Sequence, residues 1–219
     1  MIYNELVSGI IAIVIAYLVG AFPTAYVITR LLTGKDIRQL GSGNVGTNNT
    51  FREVGPAAGV IVGIVDVGKG VAAVAIAHAI VGIPFFELNH DYNYFLVAAG
   101  LAAVAGHVWP VYLKFAGGNG VATALGTLII LLPRELGIAC ILILLLWVVT
   151  RNLIMSTYIS WLSVPVAAWF LEKDWLYVGY SLAMIAVLVL VFIPTARAAL
   201  VKAGNRENLV AELLRRDKR

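Results

Sequence analysis

The chain has 219 residues, 61% of them hydrophobic and 13% charged, with a formal net charge of +4. Soluble domains carry about 25% charged residues. The apolar excess falls in runs of bilayer-spanning length, which excludes a soluble globular core and points to an all-α, polytopic membrane protein with no nucleic-acid partner. A single cysteine, Cys140, excludes an internal disulfide framework and argues against a metal site built on cysteine.

Met1 to Glu5 holds no basic residue, and the apolar stretch after it is long and uncut, so the first segment reads as a retained helix rather than a signal peptide. Seven apolar segments follow in chain order, at roughly 6–32, 56–83, 93–113, 119–132, 135–150, 153–171 and 175–196. The fourth and fifth are short enough to be tilted or to dip only partway. Pro23, Pro110 and Pro165 sit in or at the ends of spans, where neighbouring groups must re-satisfy the carbonyls they free. The whole chain, 1–219, reads as a single membrane domain with a basic tail from 197 to 219.

Between the first two segments lies Gly41-Ser-Gly-Asn-Val-Gly-Thr-Asn-Asn-Thr-Phe-Arg52, with three glycines, three asparagines and three hydroxyls before the arginine. Glycine permits backbone conformations in which successive N–H groups converge on an anion. Ser42, Asn44, Thr47, Asn48 and Asn49 can add side-chain donors, and Arg52 can offer a fork of donors to phosphate oxygens. A flexible, solvated connector is the alternative.

The second segment carries Asp66 and Lys69. Their spacing of three puts them on one helix face, either as an ion pair bracing the bundle or as a contact for substrate. Next comes Gly106-His-Val-Trp-Pro-Val-Tyr-Leu-Lys-Phe115, then Ala116-Gly-Gly-Asn-Gly-Val-Ala-Thr123: a helix end, an aromatic turn, and Gly117-Gly118-Asn119-Gly120 opening another helix. A helix N-terminus favours an anion. His107 reads either as a proton carrier or as a histidine that orients the loop. Trp109 and Tyr112 read as interface anchors. His78 and His90 are isolated and suggest no metal site. The tail motif Asn205-Arg206-Glu207-Asn208-Leu209 reads by residue type as a surface amphipathic helix.

Thirteen of the sixteen Lys and Arg fall in one alternating set of loops and the tail: Arg30, Lys35, Arg38 and Arg52, then Lys114, then Arg151, then seven from Arg197 onward. By the positive-inside rule this puts the N-terminus outside, the C-terminus in the cytoplasm and every glycine- and asparagine-rich loop on the cytoplasmic side. No Ser-His-Asp order, zinc-ligand spacing, Walker sequence or Gly-x-Ser-x-Gly occurs. An enzyme built this way works without a covalent protein nucleophile, through positioning and charge stabilisation.

Taken together the loops resemble the PlsY family, bacterial acyl-phosphate:glycerol-3-phosphate acyltransferases, in order and membrane layout over almost the whole chain. The resemblance rests on Gly-Ser-Gly-Asn-Val-Gly-Thr-Asn-Asn with Arg52, on Gly-His-x-x-Pro with Gly-Gly-x-Gly-Val-Ala-Thr, and on Arg-Glu-Asn near the end. It implies a multi-pass protein of the bacterial inner membrane with its site on the cytoplasmic face, no cofactor and no metal. Acyl phosphate and glycerol 3-phosphate are the implied substrates and lysophosphatidic acid the product, among membrane lipids. It implies catalytic roles for Ser42, Arg52, His107 and Asn208. It implies phosphate binding by Gly43, Asn44, Gly46 and Asn48, joined by Gly117, Gly118, Asn119 and Gly120 of the second loop. Lys114, Asp66, Lys69 and Ser156 are further candidates.

The chain departs from the family pattern. Phe-Lys-Gly-Gly-Lys-Gly becomes Phe115-Ala116-Gly117-Gly118-Asn119-Gly120, which removes two cations. Asn205 replaces a histidine. Ile154 replaces a serine, with Ser156 close by. Two other readings therefore stay open: a diverged paralogue with another acceptor or little turnover, and a small-anion transporter using Asp66 and Lys69.

Overall fold

The computed structural model describes residues 2–82 and 93–203. His90 and the tail motif with Asn208 lie outside the described residues. Every regular element among the described residues is helical: α1 Ile2–Gly20, α2 Thr24–Thr33, α3 Thr47–Glu53, α4 Pro56–Val81, α5 Asn93–Val108, α6 Val121–Leu131, α7 Pro133–Thr150, α8 Leu153–Trp161, α9 Ser163–Leu171 and α10 Trp175–Ala203. Five stretches are long and apolar enough to cross a membrane, Glu5–Thr33, Pro56–Val81, Tyr94–Leu113, Pro133–Thr150 and Trp175–Pro194. Two shorter apolar helical stretches, Val121–Leu131 and Met155–Leu171, lie on the remaining expected segments.

Proline and glycine set the boundaries. The first apolar run is two helices, parted at Ala21-Phe22-Pro23, because Pro23 has no N–H to continue the ladder. Pro56 and Pro133 open α4 and α7, where the missing N–H is an orphan anyway. Pro110 follows the end of α5, and Pro165 sits in the first turn of α9. α2 closes on Gly34 at φ 71° and α4 on Gly82 at φ 76°, each N–H returning to a carbonyl of the last turn.

The chain divides into two compact units, 1–131 and 132–219. In the first, α4 packs against α1, α5 and α6, and α1 against α5. The seams are lined by small residues: Ala12, Ala16, Ala73, Ala77, Ala99, Ala103 and Ala124 are fully buried. A Cβ on Gly20 or Gly106 would run into the backbone across the α1–α5 seam, and one on Gly70 or Gly126 into the backbone across α4–α6. Close approach of small residues is how helices associate where lipid removes the hydrophobic drive. The outer surfaces carry exposed large apolar side chains such as Ile10, Val14, Ile61 and Ile64, as lipid contact demands. In the second unit, α7 packs on α8 and α9, and α9 on α10. Its core holds Val164, Ala168, Tyr180, Met184 and Leu188, and Arg134 pairs with Glu172 at 2.6 Å.

Candidate active site

The first glycine-rich loop starts after a short 3-10 turn, Ile37–Gln39, and ends where α3 begins. It is held from inside by Asn49. The buried Nδ2 donates toward the carbonyls of Leu40 and Asn44, each at 3.0 Å, and of Ile37 at 3.4 Å. Its Oδ1 accepts from the Ser42 N–H at 3.0 Å. Gly41 and Gly43 take φ of 53° and 74°, so the loop folds tightly enough for one side chain to serve both ends. Thr50 Oγ1 donates to the Gly46 carbonyl at 3.0 Å. Several amides expected to face an anion are thereby engaged at home: Ser42 with Asn49, Gly43 with the Leu40 carbonyl at 2.9 Å, and Val45 with the Gly117 carbonyl at 3.4 Å. Ser42, Asn48 and Arg52 remain exposed.

The second loop lies against the first. Asn44 Nδ2 donates to Asn119 Oδ1 at 2.5 Å. Gly117 and Gly118 donate back to the carbonyls of Val108 and His107, each at 3.1 Å, which folds the loop onto the end of α5. Gly118 sits directly on the His107 ring: a side chain there would overlap Nε2 and press on the Val45 carbonyl. Lys114 is exposed with a φ of 53°. Beneath both loops lies an apolar floor of Ala25, Ile37, Val45, Val62 and Leu113, with Tyr26 and Leu40 packed on it.

His107 is buried, 6% exposed, and its Nδ1 lies 3.8 Å from Asp66 Oδ1. The same oxygen is 2.9 Å from Lys69 Nζ, so the i,i+3 pair expected from the spacing forms. Lys69 also donates to the Phe22 carbonyl at 3.1 Å, at the α1–α2 break.

The structure therefore brings together Asn44, Asn119, Gly117, Gly118 and His107, with Asp66 and Lys69 behind them. Gly43, Gly46 and Gly120 shape the loops, and Gly120 at φ 83° opens α6. Ser156 lies in the second unit, where it shares a 3.0 Å hydrogen bond with Thr150 and donates to the Asn152 carbonyl at 2.8 Å. Among the described residues no group of His, Cys, Asp and Glu is arranged to hold a metal.

Two contributors escape sequence reasoning. Asn49 reads as one more donor in an amide-rich loop, yet it is the loop's internal tie. The signal is its helix position: Asn48 and Asn49 point about 100° apart on α3, so they cannot both face the same side. Arg38 is the second. It clamps Asp36 at 2.6 Å, donates to the Leu113 carbonyl at 3.3 Å and stacks 5.6 Å from the Tyr26 ring centre, tying the first loop to the start of the second. The Arg38 guanidinium holds the Asp36 carboxyl below its ordinary range.

Helices of membrane length, with two interlocked glycine-rich loops among them, define an integral membrane protein. The glycerol-3-phosphate acyltransferase family profile matches residues 10–203, and the chain belongs to this family. It is 35% identical over 206 residues to glycerol-3-phosphate acyltransferase 1 of Dehalococcoides mccartyi, covering 92% of this chain and 95% of that one. It is 39% identical over 180 residues to the Desulforudis audaxviator glycerol-3-phosphate acyltransferase, covering 81% and 86%. Among solved structures it is similar to the glycerol 3-phosphate form of PlsY (YgiH), an integral membrane glycerol 3-phosphate acyltransferase. That match has a TM-score of 0.76 and 27% identity, covering 89% of this chain and 93% of the other. The lysophosphatidic acid form of the same protein matches with a TM-score of 0.73 and 26% identity, covering 97% and 95%.

Proposed function

We propose that the protein transfers an acyl group from acyl phosphate to the 1-hydroxyl of glycerol 3-phosphate, at the cytoplasmic face of a bacterial inner membrane. The observation that carries this reading is the interlocking of the two family loops through Asn44 and Asn119 over the buried His107. In the reaction the hydroxyl oxygen bonds to the acyl carbonyl carbon and the bond from that carbon to the phosphate oxygen breaks. The hydroxyl proton passes to a phosphate oxygen. The products are lysophosphatidic acid and inorganic phosphate. No protein nucleophile enters. The chain holds two phosphates side by side and stabilises the negative charge that develops on the carbonyl oxygen.

The exposed groups Ser42, Asn48, Arg52 and Lys114 supply the contacts to substrate. His107, Asn44, Asn119 and the glycines set the shape against which they work. Purified protein given palmitoyl phosphate and glycerol 3-phosphate should release phosphate, and Arg52→Ala should lower the rate by about a hundredfold, the scale of losing a group that stabilises the transition state. Release no faster than without glycerol 3-phosphate would refute the reading.

One observation favours a second reading, a relative with another acceptor or slow turnover. Ala116 and Asn119 stand where the family motif has lysines, and Asn119 is engaged by Asn44 rather than offering a charge. The double variant A116K/N119K should raise the rate on glycerol 3-phosphate if lost charge limits the reaction. The match to glycerol-3-phosphate acyltransferases favours the enzyme over the transporter alternative.

A further inference from the structure

We propose that Asp66 is a positioning residue: held by Lys69, it fixes the ring of His107 with its proton on Nδ1 and so sets the height of the second glycine loop. This rests on the reading of the two loops as the acceptor site. Three observations carry it.

First, His107 Nδ1 is buried without a hydrogen-bond partner among the described residues and faces Asp66 Oδ1, the oxygen paired with Lys69, at 3.8 Å. A buried polar atom left without a partner is destabilising. A small ring rotation closes the gap, and in that direct contact Nδ1 is the donor, because a carboxylate only accepts.

Second, the carboxylate is itself fixed. Lys69 Nζ holds it at 2.9 Å and is in turn fastened to the Phe22 carbonyl at 3.1 Å, where the first apolar run breaks. The chain of contacts runs from that break through Lys69 and Asp66 to His107, and it crosses from α2's start to α4 to α5.

Third, the ring carries the loop. Gly118 lies against Nε2 so closely that no side chain fits between them, and the Gly118 N–H is bonded to the His107 carbonyl. Gly117 and Asn119 beside it are the residues that meet the first loop. A turn of the imidazole therefore moves the loop, and with it the groups around the acceptor. Misplacement by about 1 Å in such a site costs on the order of a hundredfold in rate.

A simple brace and a positioning device differ in one respect. Removing only Asp66 strands the Lys69 ammonium in the interior, which destabilises any such pair, whereas removing both charges restores stability. The experiment compares Asp66→Asn with D66N/K69M in the full-length protein in detergent. Melting, glycerol 3-phosphate turnover and the nitrogen-15 spectrum of labelled histidines are read for each, the His107 signals being assigned by their loss in His107→Gln.

D66N should melt well below the native protein and D66N/K69M should recover. In the double variant kcat should remain about a hundredfold down with KM little changed, and the Nδ1–H signature of His107, present in the native spectrum, should be lost or mixed. Recovery of kcat along with melting would overturn the proposal and leave the pair as a brace. So would a native spectrum with the proton on Nε2. The spectrum and the melt need no turnover. A native protein that releases no phosphate therefore sinks the proposed reaction, while the tautomer still decides this inference.

Discussion

The amide of Asn49 reaches four backbone groups of the first loop, three as donor and one as acceptor, from a buried position. Its neighbour Asn48 is exposed and ties down nothing of the kind. Asn49→Asp keeps the shape and the acceptor for the Ser42 N–H but removes both donors and turns a carboxylate toward three carbonyls. It should cost at least about 1–3 kcal/mol of stability and lower the melting temperature, because three acceptors lose a partner in the interior. Asn48→Ala should leave melting unchanged and act only on the KM for glycerol 3-phosphate. Equal melting of the two variants would contradict this division. Composition makes the loop conspicuous and brings all three asparagines forward as donors. It does not show which amide turns inward, since that follows from where α3 begins and from the φ of Gly41 and Gly43. Arg38 shows the same gap: its partners Asp36 and Tyr26 are near in sequence, but its anchor at Leu113 is seventy-five residues away.

At the scale of elements, the seams of the first unit depend on glycines that let backbones touch. α4 offers a built-in comparison. Across from it on α6, a Cβ on Gly126 would meet the Val67 carbonyl and lie 3.0 Å from the Cα of Gly70, all of it backbone with nowhere to move. Gly68, two residues from Gly70 in α4, has nothing within 4 Å of the same atom. Gly126→Ala should destabilise by about 1–3 kcal/mol, the range for forcing extra volume into a packed contact. Gly68→Ala should be neutral. Thermal melting of the purified protein reads both, and a stable Gly126→Ala would mean that the α4–α6 seam can part. The long helices are legible in sequence because the bilayer imposes their length, and the expected segment 56–83 is α4 to within two residues. The parting of 6–32 into α1 and α2 is less visible. Pro23 signals it, but the pairing of the Phe22 carbonyl at the break with Lys69, forty-seven residues on and in another helix, is not readable from the local sequence.

For the molecule as a whole, the distribution of Lys and Arg makes a topological prediction. Both glycine-rich loops should face the cytoplasm. In a Cys140→Ala background, Ser42→Cys should react with a membrane-impermeant maleimide in inverted vesicles and be protected in right-side-out ones. The opposite pattern would reverse the orientation. The interlocked loops with their histidine belong wholly to the first unit. The Phe22 carbonyl that receives Lys69 has one more consequence, for how the protein is made. An ammonium entering lipid alone meets a steep free-energy barrier. Lys69 does not enter alone: the oxygen it needs was synthesised forty-seven residues earlier, and its counter-charge Asp66 leaves the ribosome three residues before it. Both partners precede the residue that depends on them, so the membrane can accept α4 in the order of translation, each group arriving to a place already prepared.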